Sequence, residues 1–121
     1  ILPLTGPGQA SAVAASRRNA AELALAEFSN PDLTILVKDD RGTPDGAREA
    51  ASEALAEGAE IILGPLFAGS VQAAGAVARQ AGRPVIAFST DASVATRGVY
   101  LMGFLPQSEV DRIIDYAAQQ G

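Results

Sequence analysis

Short apolar runs alternate with longer amphipathic stretches along the whole chain. The apolar runs lie at residues 1–4, 33–38, 60–63, 84–88 and 99–102. Apolar residues at helical spacing mark stretches at 9–29, 44–57, 71–81 and 110–117. Strands that alternate with crossover helices indicate a parallel sheet that is buried on both faces. We predict an α/β fold, a three-layer α/β/α sandwich with a five-stranded parallel sheet in the order 2-1-3-4-5.

Composition removes several classes of chemistry. The 121 residues contain no His and no Cys, which excludes thiolate and imidazole catalysis and the usual zinc sites. The net charge is −5, and the single Lys and scattered Arg form no basic stripe, so we expect no nucleic-acid partner. We expect a non-enzymatic protein with no metal and no cofactor.

Three Gly- or Ser-containing loops follow predicted strands. They are Gly6-Pro7-Gly8, the loop from Gly64 to Ser70, and Ser89-Thr90-Asp91. The carboxyl ends of parallel strands meet at one edge of the sheet, and ligands of open α/β sheets bind at that edge. The pattern therefore predicts half of a small-molecule crevice.

The loop from Gly64 to Ser70 is the first candidate site. Its glycines allow close approach of the backbone, and the helix after it presents free N–H groups to an anion. Phe67 would form a wall of the crevice or part of the core. The alternative is a Gly/Pro turn in which Ser70 caps the helix.

The loop after the fourth predicted strand is the second candidate. The Asp91 carboxylate would pair with a ligand ammonium, and Ser89 would offer a hydroxyl or a carbonyl. The alternative for both residues is an Asx or Ser turn at the end of a strand.

Two other motifs give weaker indications. Thr5-Gly6-Pro7-Gly8 is part of a dinucleotide fingerprint, which keeps a flavodoxin-like nucleotide-binding enzyme as a distant alternative, although Pro7 has no N–H for a phosphate. Asp39-Asp40 is acidic enough for a metal pocket, but we interpret the pair as solvated loop acids, with Arg41 as an ionic partner.

Five segments in order resemble one known family. They are residues 2–7, 19–24, 39–44, 62–66 and 83–89, with the sequences LPLTGP, NAAELA, DDRGTP, ILGPL and RPVIAFS. Together they resemble the amino-terminal lobe of type I periplasmic binding proteins, the leucine/isoleucine/valine-binding group. The resemblance implies that residues 1–121 are a single lobe, truncated from a two-lobe protein that closes on its ligand.

The resemblance also implies a function and a location. It implies a periplasmic receptor, sometimes lipid-anchored, that delivers an amino acid to an ABC permease. The ligand carboxylate would lie at Ala68, Gly69 and Ser70, and the ligand ammonium at Ser89 and Asp91. Two departures stand out, since Ala68 occupies a position that usually carries Ser and Asp91 one that often carries Thr.

A second branch of the same fold matches other residues. The segment 98–106, GVYLMGFLP, resembles the penicillin-binding-protein activator lipoproteins. That branch implies a peptidoglycan synthase as the partner instead of a permease. For an isolated lobe we also expect self-association, because the surface that the second lobe would cover is exposed.

Overall fold

The computed structural model describes residues 1–29 and 32–121, so Asn30 and Pro31 of the sequence lie outside the described residues. Each of the helices contains the apolar periodicity that predicted it, and the strands are shorter than predicted. In chain order the elements are α1 (Ala10–Phe28), α2 (Pro44–Ala56), β1 (Ile62–Leu63), α3 (Ala68–Gln80), β2 (Val85–Ala87), a 3-10 turn (Ala92–Val94), β3 (Val99–Leu101) and α4 (Pro106–Gln120).

The strands form a three-stranded parallel sheet in the order β1-β2-β3. Ile62 is paired with Val85, and Val85 with Val99, so the third, fourth and fifth predicted strands are neighbours in that order. Helices flank this sheet, and the prediction of a parallel α/β fold is confirmed.

The predicted five-stranded sheet is wrong for the described residues. The first two predicted strands meet only in one parallel bridge, between Leu2 and Asp39. Leu2 donates to the Lys38 carbonyl over 3.0 Å and accepts from the Asp40 N–H over 3.1 Å. The next N–H that could extend this ladder belongs to Leu4, and it donates instead to the Leu2 carbonyl over 2.9 Å, so the pairing ends in a turn.

The core lies between α2, α3 and one face of the sheet. Its helical residues are small, with Ala47, Ala51, Ala74 and Ala78 each fully or almost fully buried, and its sheet residues are Ile62, Val85, Ala87 and Val99. Small side chains allow a helix axis to lie close to the sheet, and α3 lies close to β3 at Gly75. A Cβ atom at Gly75 would lie 2.8 Å from Cγ2 of Val99.

The opposite face of the sheet is more open. Leu63 and Tyr100 are exposed, whereas their neighbours Ile62 and Val99 on the core face are buried. On α1 only Ala14 is buried, and α4 has no buried residue. The guanidinium of Arg17 lies 4.6 Å from the centre of the Phe88 ring, and a cleft of about 570 Å³ opens beside it. The predicted third layer is therefore incomplete among the described residues.

Asp39 and Lys38 hold the second apolar segment to the loop after the first segment and to α2. The Thr5 hydroxyl donates to Asp39 Oδ2 over 2.6 Å, and the Arg41 N–H donates to Asp39 Oδ1 over 2.9 Å. Burial by itself would raise the pKa of Asp39, but these hydrogen bonds together lower it. Lys38 binds Glu57 over 2.6 Å and Glu53 over 3.3 Å, which joins the segment before Asp39 to α2.

None of the helices in the described part of the chain is both long and apolar enough to cross a membrane.

We predict that Gly75→Leu lowers the free energy of unfolding by about 1–3 kcal/mol, because a side chain at this position overlaps Val99. Ala76→Leu is the matched control, since Ala76 lies on the exposed side of the same helix. Urea unfolding of both variants measures the difference. Equal stability of the two variants would contradict the close packing of α3 on β3.

We also predict that Thr5→Val lowers the free energy of unfolding at pH 7 by about 0.5–1 kcal/mol, a value reduced for solvent exposure. Hydrogen bonds hold the pKa of folded Asp39 below its unfolded value. Their contribution is therefore complete above the unfolded pKa and is lost as the pH falls through the folded pKa. Thr5→Ser keeps the hydroxyl and should match the wild type, and the Thr5→Val difference should shrink toward about pH 2. A difference that is independent of pH would exclude Asp39 as its source.

Candidate functional site

Three loops meet where the parallel strands end. A Cβ atom at Gly42 would lie 3.4 Å from Cε2 of Phe67 and 3.6 Å from Cδ of Pro7. Residues after the first, second and third apolar runs of the sequence are therefore in contact. The Phe88 N–H donates to the Pro65 carbonyl over 2.9 Å, so the loop after β2 begins beside the loop after β1. This edge is the candidate functional site.

The first turn of α3 opens at this edge. Phe67 precedes the helix in an extended conformation, with no side-chain cap, and its carbonyl accepts the first intrahelical bond from Val71 over 2.9 Å. The N–H groups of Ala68, Gly69 and Ser70 come before that bond and have no acceptor within the helix. A helix start with three free donors attracts an anionic group.

The side chains of this turn divide between surface and interior. Phe67 is 41% exposed and covers Gly42, so it forms a wall of the edge. Ser70 is only 1% exposed, and its hydroxyl makes no hydrogen bond of acceptable geometry within the described residues. Ser70 therefore belongs to the interior, and the residues of this turn that reach the surface are the half-buried Ala68 and the exposed Gly69.

Asp40 lies next to Ser70 and is completely buried. Its Oδ1 accepts from the Gly42 N–H over 2.9 Å, whereas its Oδ2 has no hydrogen-bond partner among residues 1–29 and 32–121. Burial raises the pKa of Asp40, and the Gly42 N–H and the nearby Ser70 hydroxyl offset only part of that rise. The two side chains are near enough for this electrostatic effect but do not meet hydrogen-bond geometry.

The interpretation of Asp39 and Asp40 as solvated acids is therefore wrong for Asp40. Arg41 does not serve them as an ionic partner, because its guanidinium pairs with Glu49. A signal for the buried turn was present in the sequence. Asp40 precedes Gly42 by two residues, and Thr43-Pro44 starts a helix, with the Thr43 hydroxyl accepting from the Gly46 N–H over 3.0 Å. An Asx turn directly before a capped helix is typical of such an arrangement.

The loop after β2 has a different organisation. Ser89 is buried, and its hydroxyl accepts from the Asp91 N–H over 3.1 Å. Asp91 Oδ1 accepts from the Ser93 N–H over 2.9 Å and from the Ser93 hydroxyl over 2.6 Å. Both hydrogen bonds lower the pKa of Asp91, and the bond from the Ser93 hydroxyl has the larger effect. Asp91 is thus an exposed, ionised carboxylate that also caps the 3-10 turn, as in the structural alternative for this loop.

The described residues contain no group of three or more His, Cys, Asp or Glu side chains placed to hold a metal ion. The chemistry that this edge offers is therefore recognition by backbone N–H groups, one exposed carboxylate and the Phe67 ring.

Comparison with known proteins identifies the family. A family model described as periplasmic binding protein matches residues 1–121, which is the whole chain. Neither a curated protein nor a solved structure matches the chain. Members of this family are typically non-enzymatic and bind solutes, and the family suggests the periplasm as the location. The chain, with its parallel sheet and its open helix start at the carboxyl edge, belongs to the periplasmic binding protein family, in the type I group.

Proposed function

We propose that residues 1–121 form one lobe of a two-lobe receptor and supply half of a crevice for an amino-acid-like ligand. The observation that carries this proposal is the open first turn of α3 at the edge where the loops meet. A ligand carboxylate is an acceptor with two oxygens, so it could accept from several N–H groups of this turn at once. The exposed, ionised Asp91 on the neighbouring loop would hold the ligand ammonium.

The proposal assigns the two charged groups of the ligand to different kinds of partner. A carboxylate at Ala68, Gly69 and Ser70 would accept from backbone N–H groups, because Ala68 has no hydroxyl and that of Ser70 is buried. An ammonium would be bound by Asp91 through Oδ2, since Oδ1 already accepts two hydrogen bonds from Ser93. Phe67 would contact the apolar part of the ligand.

The wider assignment follows from the family and from the amino-terminal resemblance. The second lobe of the same protein would close over the ligand, and an ABC permease would receive it. The expected location is the periplasm, with or without a lipid anchor.

A second function is favoured by one observation. The α3 turn offers no hydroxyl to the open edge, which fits a lobe whose surface binds a protein and not a solute. In that case the partner would be a peptidoglycan synthase, as in the penicillin-binding-protein activators. An exposed Phe67 and an uncovered apolar sheet face are compatible with such a contact.

Thermal unfolding of the two-lobe protein with each of the common amino acids tests the receptor function. A ligand at about 100 times its Kd stabilises the folded state by about 2.7 kcal/mol, so at least one amino acid should raise Tm by several degrees. D-amino acids of the same composition are the matched control. No rise with any amino acid, together with binding of a purified peptidoglycan synthase, would favour the activator function.

We predict that Asp91→Asn weakens binding of the amino acid found in that screen at least tenfold, because the side-chain charge is removed. Asparagine still accepts from Ser93, so the 3-10 turn is preserved. The matching carboxylic acid without the amino group should bind the wild type and Asp91→Asn equally. Calorimetric titration measures both ligands, and an unchanged Kd for the amino acid would remove Asp91 from the site.

We expect the 121-residue chain alone to bind the same amino acid much more weakly than the two-lobe protein does, with a Kd in the millimolar range, because half of the contacts are missing. The same calorimetric titration tests this expectation. Micromolar or tighter binding by the single lobe would contradict a site that is shared between two lobes.

A further inference from the structure

We infer that Asp40 is a specificity-determining residue: its buried carboxyl group, lying behind Ser70, controls how strongly the first turn of α3 holds an anionic group. The inference rests on the anion site of the proposed function and adds a residue that does not touch the ligand. When ionised, Asp40 would be a negative charge in the interior that repels the negative charge of a ligand carboxylate.

Asp40 is 0% exposed and Ser70 is 1% exposed, so water does not screen the space between them. Ser70 is the third residue of α3, and its N–H is one of the donors that have no acceptor within the helix. The carboxyl group therefore acts on this turn from the protein side, while a ligand would act on it from the open side.

Both groups also have unused hydrogen-bonding capacity. Asp40 Oδ2 and Ser70 Oγ each lack a partner within the described residues. Buried polar groups are nearly always paired, so two unpaired ones side by side call for an explanation. A Ser70 hydroxyl that donates to Oδ2 would satisfy both atoms and would favour the ionised Asp40, in line with the lowering effect of Ser70 on the Asp40 pKa.

Other charged groups also act on the Asp40 carboxyl group. The amino group of Ile1 favours the ionised carboxylate, and the neighbouring Asp39 disfavours it. Asp45 in the first turn of α2 is exposed and is paired with Arg48 over 2.6 Å. The first turn of α3 carries no charged side chain. Burial is the largest effect on the Asp40 pKa and raises it.

The consequence is a competition for the positive end of α3. An ionised Asp40 and a ligand carboxylate would both act on the same turn, and like charges repel more strongly where water screens them poorly. A neutral Asp40 leaves the donors to the ligand. The site should therefore bind anions more tightly once Asp40 is protonated, and should prefer neutral or zwitterionic groups when Asp40 is ionised.

The experiment uses trifluoroacetate as the probe, because this carboxylate stays ionised over the whole pH range. It is titrated into the 121-residue chain from about pH 8 down to about pH 4, near the ordinary pKa of an Asp carboxyl, and the amide signals of Ala68 and Gly69 are followed by NMR. The variants are Asp40→Asn, the exposed-charge control Asp45→Asn, and Ser70→Ala. Asparagine can still accept from Gly42, so the turn is retained.

We expect the wild-type Kd for trifluoroacetate to fall severalfold as the pH falls and Asp40 takes up a proton. Asp40→Asn should bind at pH 8 as tightly as the wild type does at low pH, and Asp45→Asn should follow the wild type. Burial lowers the pKa of the Ile1 amino group, and this group is the same in every variant. The contribution of Asp40 is therefore the difference between wild type and Asp40→Asn. Ser70→Ala removes a group that favours the ionised carboxylate, so its midpoint should move to higher pH.

Each other outcome is decisive. Identical pH profiles for wild type and Asp40→Asn would overturn the inference while leaving the anion site intact. An equal effect of Asp45→Asn would show a general charge effect and would also overturn it. If trifluoroacetate shifts neither amide in any variant, the anion site of the proposed function is wrong, and this inference is overturned with it. If Asp40→Asn does not fold, an unmoved midpoint in Ser70→Ala overturns the inference.

Discussion

The close approach of α3 to the sheet is the constraint on which the other features depend. Gly75 lets the helix lie against Val99, and a row of alanines keeps α2 and α3 near the strands and near each other. A helix with larger residues on this face would move outward and carry its first turn away from the loops. The position of the candidate site is thus set by residues in the middle of α3 that never touch a ligand.

The same close packing creates the electrostatic character of the edge. The carbonyl oxygen of Asp40 lies against Gly46. A Cβ atom at position 46 would be 2.2 Å from that oxygen, so only glycine fits there. This contact presses the turn at residues 39–42 between the starts of α2 and α3 and removes the Asp40 side chain from water. Because two helix starts converge on one buried carboxyl group, positive dipole ends and a negative charge occupy the same small volume.

Much of the fold could be predicted from the sequence, and the parts that could not have physical causes. The helices follow from apolar periodicity and from local signals such as Thr43-Pro44, and the parallel order of the last three strands follows from their alternation with helices. The five-stranded sheet failed at Leu4, whose N–H turns back to the Leu2 carbonyl and ends the pairing. Of the site, the open turn at residues 68–70 follows from a Gly/Pro loop before a helix. The burial of Asp40 does not, because exposure depends on how two distant helices pack.

The uneven burial of the helices has a consequence for local stability. A helix that buries nothing gains only its own hydrogen bonds and propensity, and an isolated helix of 15 residues is marginal in water. Opening of α4 therefore leaves the contacts between α2, α3 and the sheet unbroken. Its amides should exchange with solvent through a local event, whereas those of β2 require the cooperative unit around them to open. α1, in which only Ala14 is buried, should open in the same local way, so the better-protected unit consists of α2, α3 and the sheet.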